Sequence, residues 1–423
     1  MSEKIQFQTL VDSISKLRVN SFRQRQLSSE VKNSVLNELA QELLNQEASI
    51  LSANKKDLIN LDSSATSAFR DRLTLNSQRL VAMADSLRKV ASLADPVNEV
   101  IEEKTLPNGL KLKKVRSPLG VIFMIFESRP NVIFEAFSLA FKSGNAIVLR
   151  GGSDSAETSL IFYRLISSVL KRHGLEDVSF LGLTDYNRDH VYSLLKRKDL
   201  IDVVVPRGGE ALIDFVQKEA MMPIIKNDRG LCHGYIDDEA DIEMAVRLVT
   251  NAKSQRPGVC NSLETVLVHE KVAQSFLPKL KAALLPFQTE WRCDDQAALI
   301  VGLSEKVKKA KDEDWNTEHL DHILNVKIVG SIEEAYWHIE KYSSRHSEMI
   351  VTRSQEKAHD FQLRVDSAAV YWNASTRFTD GYEFGLGGEL GISTQKIHVR
   401  GPVGLRELTT PRWWVTGSGQ IRE

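Results

Sequence analysis

Between Val121 and Ala220, short apolar runs alternate with longer amphipathic stretches, and this alternation constrains the fold more than any other feature. Val121–Phe126 reads as a buried strand, Asn131–Lys142 as a helix, Asn145–Leu149 as a strand and Asp154–Arg172 as a long amphipathic helix. Val178–Leu181, Arg188–Lys196, Ile201–Val205 and Glu210–Ala220 continue the series as strand, helix, strand and helix. Units of this length predict an α/β fold with a parallel sheet covered by helices on both faces.

A second unit of similar rhythm begins near Tyr235. Its expected helices are Glu239–Val249, Lys271–Leu285 and Ile332–Tyr342, and its strands Leu263–Val268, Val326–Val329, Met349–Thr352 and Ala368–Tyr371. Ahead of both units, the first 108 residues hold no glycine, and apolar stripes predict helices over Val31–Leu44 and Arg70–Leu93. Lys111–Val115 alternates charged and apolar residues as an exposed strand does, and such an edge needs a partner. The nine glycines from Gly381 to Gly419 predict a loop-rich tail.

Basic and acidic residues nearly cancel, 55 against 56, which argues against nucleic acid as a partner. The N-terminal residues lack the apolar core of a signal peptide. The densest apolar run, Leu119–Phe126, is far shorter than the roughly 20 residues a membrane span requires. Three cysteines are too few for a disulfide framework and suit a reducing compartment. The expectation is a cytoplasmic protein that does not engage a membrane.

Cys260 follows the Pro257-Gly258 turn, between an expected helix and an expected strand, where a side chain is readily presented. A thiol of ordinary pKa, about 8.5, needs nearby cations or backbone N–H groups to ionise at neutral pH. Lys253 and Arg256 are the candidate cations. A cysteine after such a turn also serves as plain packing. Cys293 lies among Asp294 and Asp295, which disfavour a thiolate. Cys232 adjoins His233, but neighbours on a strand point to opposite faces, so Cys232 reads as packing or site lining.

Two strand–glycine turn–helix junctions are candidate nucleotide sites: Arg150-Gly151-Gly152-Ser153 and Pro206-Arg207-Gly208-Gly209. Neither has the GxGxxG spacing, and an ordinary βα turn is the alternative for each. Two in succession favour a dinucleotide, and Arg150 suits a 2′-phosphate, hence NADPH/NADP. Asp154 leaves a ribose hydroxyl open as the alternative.

Several stretches resemble the aldehyde dehydrogenase superfamily, and within it the glutamate-5-semialdehyde dehydrogenase (γ-glutamyl phosphate reductase) family. They include Glu127–Val132, Gly144–Gly152, Val205–Gly209, Cys232-His233, Gln255–Thr265 and His346-Ser347. Asn373–Gly381, Phe384–Gly387, Gly391–Gln395 and Arg400–Leu405 complete the match, and the nine-residue run Asn-Ala-Ser-Thr-Arg-Phe-Thr-Asp-Gly is its most specific part. The resemblance implies an aldehyde dehydrogenase-like fold with two parallel-sheet domains. An NADP-binding domain would span 1–101 and 117–234, and a catalytic domain 235–397. A β-hairpin oligomerisation extension would span 102–116 and 398–423 and pair subunits in a homo-oligomer.

The reaction so implied is NADPH-dependent reduction of L-glutamyl 5-phosphate, in proline synthesis, through a thioester on Cys260. Asn131 would be the oxyanion donor, with a helix N-cap as its alternative, and Glu318 would hold the nicotinamide ribose or simply face solvent. Arg129 and Arg256, with Lys226 and Arg229, are candidates for the phosphate. His346 and Asn373 would line the substrate pocket, or be satisfied polar groups in turns. No metal is expected, although Glu318, His319, Asp321 and His322 cluster in sequence. A glutamate 5-kinase is the candidate protein partner. Where hydrolytic members carry a glutamate base, Pro223–Gly230 offers lysine or asparagine, Lys226 or Asn227, so the thioester lacks a group to activate water. The competing readings are a hydrolytic aldehyde dehydrogenase and a nucleotide-binding assembly protein without chemistry.

Overall fold

The structure, a computed structural model, describes residues 3–62, 65–127, 129–226 and 229–422. It forms two compact units: Met1–Lys226 with Gly385–Gly391 and Val403–Glu423, and Asn227–Phe384 with Ile392–Pro402.

The first unit opens with helices Glu3–Asn20, Ser29–Asn45, Glu47–Asn60, Ser67–Leu73 and Ser77–Ser92. The single helix expected over Arg70–Leu93 is two, and a buried asparagine explains the break. Asn54 donates to the Leu73 carbonyl at 2.9 Å and accepts the Leu75 N–H at 2.8 Å, taking backbone groups a continuous helix would pair. Asn76 then caps the second helix by accepting from Arg79 N.

The strands Val100–Thr105 (β1) and Lys111–Pro118 (β2) pair antiparallel, and the C-terminal strand Thr409–Thr416 joins the other side of β2. Val121–Phe126 (β3), Ala146–Arg150 (β4), Phe180–Leu183 (β5) and Val203–Arg207 (β6) form a parallel sheet in the order β5-β4-β3-β6. Every β3 residue is buried, as expected of a strand covered on both faces.

Two strands start later than the apolar pattern predicts. Asp177 adopts a left-handed conformation (φ 56°), so the chain is still turning before β5. Asp202 spends its carboxylate on Arg18 and on Val121 N, which ends the turn before β6. The helix expected from Asp154 begins at Ala156, because buried Asp57 accepts the N–H groups of Glu157 (3.0 Å) and Thr158 (2.9 Å).

The second unit is a seven-stranded parallel sheet. Its strands are Cys232–Ile236 (β7), Leu263–His269 (β8), Glu290–Cys293 (β9), Val307–Lys309 (β10), Ile323–Val329 (β11), Ser347–Val351 (β12) and Ala369–Trp372 (β13). They run in the order β10-β9-β11-β8-β7-β12-β13. The helix expected over Glu239–Val249 is Ile242–Ser254, capped by Asp241. Its late start follows from the acids before it: Lys357 pairs with Asp237, Asp238 and Glu239 together. Cys232 opens β7, Cys260 precedes β8 and His346 precedes β12, so all three fall at the amino edge of this sheet. Among the described residues no helix is long and apolar enough to cross a membrane.

Asp57→Ala is expected to cost about 2 kcal/mol through the lost cap. Hydrogen exchange at the Glu157 and Thr158 amides should quicken by roughly 30-fold; unchanged exchange would mean water replaces the carboxylate.

Candidate active site

Cys260 is half-buried in the turn between helix Ile242–Ser254 and β8. The turn's own backbone bonding is sparse, and neighbouring segments fix it. Asn261 donates to the carbonyls of Thr379 (2.8 Å) and Arg377 (3.3 Å), while Thr376 Oγ1 donates to the Asn261 carbonyl (2.7 Å). From the other side Gly230 packs on Cys260 itself: a Cβ there would lie 1.6 Å from the Cys260 carbonyl oxygen. Only glycine permits that approach. Glu318 in turn accepts the Gly230 N–H at 2.7 Å, so it braces the segment that packs on the Cys260 turn.

The Cys232 thiol donates to the Cys260 carbonyl at 3.1 Å and lies 3.8 Å from His346 Nδ1. A polar chain continues through Ser347 and Thr379 to the Tyr371 hydroxyl. His233 leaves the strand on the opposite face, bonding the Leu231 carbonyl at 3.0 Å, so the adjacent Cys and His do not pair. Burial, with Glu348 next, pushes the Cys232 thiol well above its usual range. Burial and then Asp294 push Cys293 up to about 12. Burial therefore disfavours the thiolate at both.

Lys253 does not serve Cys260 as the expected cation. It is fully buried and bonds Glu264 Oε2 at 3.1 Å. Desolvation lowers its pKa and raises that of Glu264 to about 7. Glu264 also accepts Leu320 N at 3.3 Å, tying the loop that carries Glu318. The sequence reading overlooked Arg377: half-buried, it donates from Nε to Gln255 at 2.9 Å. Its pKa falls through desolvation and then through Arg256, against the opposing fields of Asp380 and Cys260.

The other expected substrate residues are dispersed. Arg256 is exposed beside the nucleophile turn, and His346 is buried behind it. Arg229 bonds Asn316. Asn373 sits after β13, at the carboxyl edge, away from Cys260 and His346. Its amide is closed on the backbone N–H (3.1 Å) and carbonyl (2.9 Å) of Thr352. His319 bonds Asn325 and His322 stacks on Phe287. Ser128 and Asn227 lie outside the described residues.

In the first unit, Arg129, Asn131, Arg150 and the Pro206–Gly209 turn lie at or just beyond the carboxyl ends of adjacent parallel strands β3, β4 and β6. Arg150 is half-buried, donates to the Tyr186 carbonyl at 3.0 Å, and keeps a buried Nε without a hydrogen-bond partner among the described residues. Desolvation lowers its pKa. Gly151 lies against the Phe126 ring, and Gly152 precedes the short 3₁₀ turn Ser153–Ser155. Asp57 already holds two amides of the helix that follows, so this junction is not an open helix N-terminus. At the second junction Glu127 accepts the Gly209 N–H at 2.8 Å, and a Cβ on Gly208 would meet that carboxylate at 2.5 Å. Asn131 occupies the N-cap position of helix Val132–Lys142 without capping it; its amide donates to Glu135 at 3.3 Å.

The model of the aldehyde dehydrogenase family matches residues 30–302. The chain belongs to the aldehyde dehydrogenase family. Within this family it is similar to the gamma-glutamyl phosphate reductase of Francisella philomiragia, 47% identical over 94% of this chain and 95% of that one. The gamma-glutamyl phosphate reductase of Nautilia profundicola is 46% identical over 94% of this chain and 96% of its own length. The crystal structure of the Thermotoga maritima gamma-glutamyl phosphate reductase superposes with a TM-score of 0.94 at 41% identity, covering 98% of this chain and 100% of that one. Of the three cysteines, Cys232 and Cys293 are buried and Cys260 is partly exposed.

Brief iodoacetamide treatment near pH 7.5 is expected to add one carboxamidomethyl group, on Cys260. Labelling of Cys232 or Cys293 at a comparable rate in the native protein would contradict the burial described here.

Proposed function

We propose that the chain reduces L-glutamyl 5-phosphate to L-glutamate 5-semialdehyde and inorganic phosphate with NADPH, in proline biosynthesis; its relatives' names describe reduction of gamma-glutamyl phosphate. What carries the reading is 44–47% identity to gamma-glutamyl phosphate reductases across 94% of the chain, joined to Cys260 as the one accessible thiol. The Cys260 thiolate attacks the acyl carbon, a C–S bond forms, and the C–O bond to phosphate breaks with its electron pair leaving on the phosphate. Asn131 is the proposed side-chain donor to the oxyanion, and the Cys260 backbone N–H the second.

NADPH supplies the hydride when bound. Arg150 fits its 2′-phosphate, since the guanidinium is half-buried with an unsatisfied Nε. Gly151, Gly152 and Ser153, with Pro206, Gly208 and Gly209, would carry the rest of the cofactor, and Glu318 the nicotinamide ribose. The proposed domains follow the sequence boundaries: 1–101 with 117–234 for NADP, 235–397 for catalysis, and 102–116 with 398–423 for pairing subunits. Support for the last comes from the exposed apolar residues Trp413, Trp414 and Val415 on that antiparallel sheet. A cytoplasmic homo-oligomer supplied by a glutamate 5-kinase completes the reading.

The decisive assay runs the reaction backwards: glutamate 5-semialdehyde and NADP+ with and without inorganic phosphate. NADPH should form only when phosphate is present; turnover without it would assign the chain to the hydrolytic dehydrogenases. Cys260→Ser is expected to lower turnover by at least about a thousandfold. Asn131→Ala should lower kcat about a hundredfold with little change in KM.

A further inference from the structure

We propose that Arg377 and Arg256 form the subsite for the phosphate group of the substrate, with Arg377 as its fixed member. The inference rests on the acyl-phosphate reading above and adds to it a residue that the sequence alone did not nominate.

Arg377 is built into the nucleophile turn at two points. Its carbonyl accepts Asn261 Nδ2, one residue after Cys260, and its Nε donates to Gln255, five residues before Cys260. Thr376, its neighbour, donates to the Asn261 carbonyl. A side chain with about 2 kcal/mol of rotamer freedom is thereby held in place before any ligand arrives. Gln255 occupies only Nε, and no hydrogen bond from the two terminal nitrogens is seen among the described residues, so the fork that suits a phosphate is spared.

The surroundings favour an anion. Exposed Arg256 adjoins Gln255, the residue that holds Arg377 Nε, and partial burial and then Arg256 disfavour the Arg377 cation. Asp380 is the carboxylate that opposes them, and the Cys260 thiolate the other nearby negative charge. Once Cys260 is acylated and carries no charge, two guanidinium groups face one carboxylate, an excess of positive charge beside it. A phosphate dianion there would relieve their repulsion. The chemistry asks for this charge at that place: as the acyl C–O bond breaks, its electron pair moves onto the phosphate oxygen. Guanidinium groups meeting that charge lower the barrier. In reverse, the same pair holds inorganic phosphate for attack on the thioester.

The test uses the full-length enzyme and inorganic phosphate as the probe. In semialdehyde oxidation with NADP+, Arg377→Gln should raise the KM for phosphate by roughly 20-fold or more, while the KM for semialdehyde and for NADP+ stay within about twofold. Arg377→Lys should recover part of the loss. Phosphate should also slow iodoacetamide alkylation of Cys260 in the wild type and not in Arg377→Gln, a readout independent of turnover. An unchanged phosphate KM in a folded Arg377→Gln enzyme overturns the subsite and leaves the acyl-phosphate reading standing. A wild-type enzyme indifferent to phosphate overturns both. Should Arg377→Gln fail to fold, Gln255→Leu keeps the arginine but frees its Nε. A smaller rise in phosphate KM is then expected, and none would overturn the proposal.

Discussion

A reactive thiol is useful only if its backbone is held still, and here that constraint falls on segments far from it in the chain. Gly230 lies so close to the Cys260 carbonyl that no side chain fits between them. Asn261 is spent on the carbonyls of Arg377 and Thr379, and Cys232 on the carbonyl of Cys260. Three approaches, from the segment before β7, from β7 itself and from the loop after β13, converge on one turn. The parallel pairing of β7 with β8 sets their amino ends on one edge, and the chain after β13 returns from the carboxyl edge to reach it.

Burial then sorts the charges. Burial, and next the carboxylates Glu348 and Asp294, disfavour the thiolate at Cys232 and Cys293, and the same burial excludes reagents. Lys253 and Glu264 are removed from water together; such a pair contributes little net stability, and its value here is that Glu264 anchors the loop bearing Glu318. The cations left beside the nucleophile are those whose charge is not already neutralised by a buried partner.

Much of the fold was legible because β3 is apolar throughout, β4, β8 and β12 carry short apolar runs, and amphipathic helices flank them. The short strands β9 and β10 escaped notice, since three or four residues do not establish a period. Helix ends drifted where a distant side chain set them: Asp57 for the helix after β4, and Asn54 for the break before Ser77. Nothing local in sequence announces a cap delivered from 100 residues away.

The family, the candidate cysteine and the lack of a glutamate within Pro223–Gly230 were legible in sequence alone, because they depend on which residue types stand in a short run. The partners of those residues were not. Lys253 and Arg256 look equivalent three residues apart, yet one is sealed against Glu264 and the other reaches solvent. Asn373 and Arg377 sit in the same nine-residue run, yet the first closes on Thr352 at one edge of the sheet and the second on Gln255 beside the nucleophile. Tertiary structure decided these assignments, since a side chain's role follows from desolvation and from the groups that meet it, and both are set by segments the local sequence does not contain.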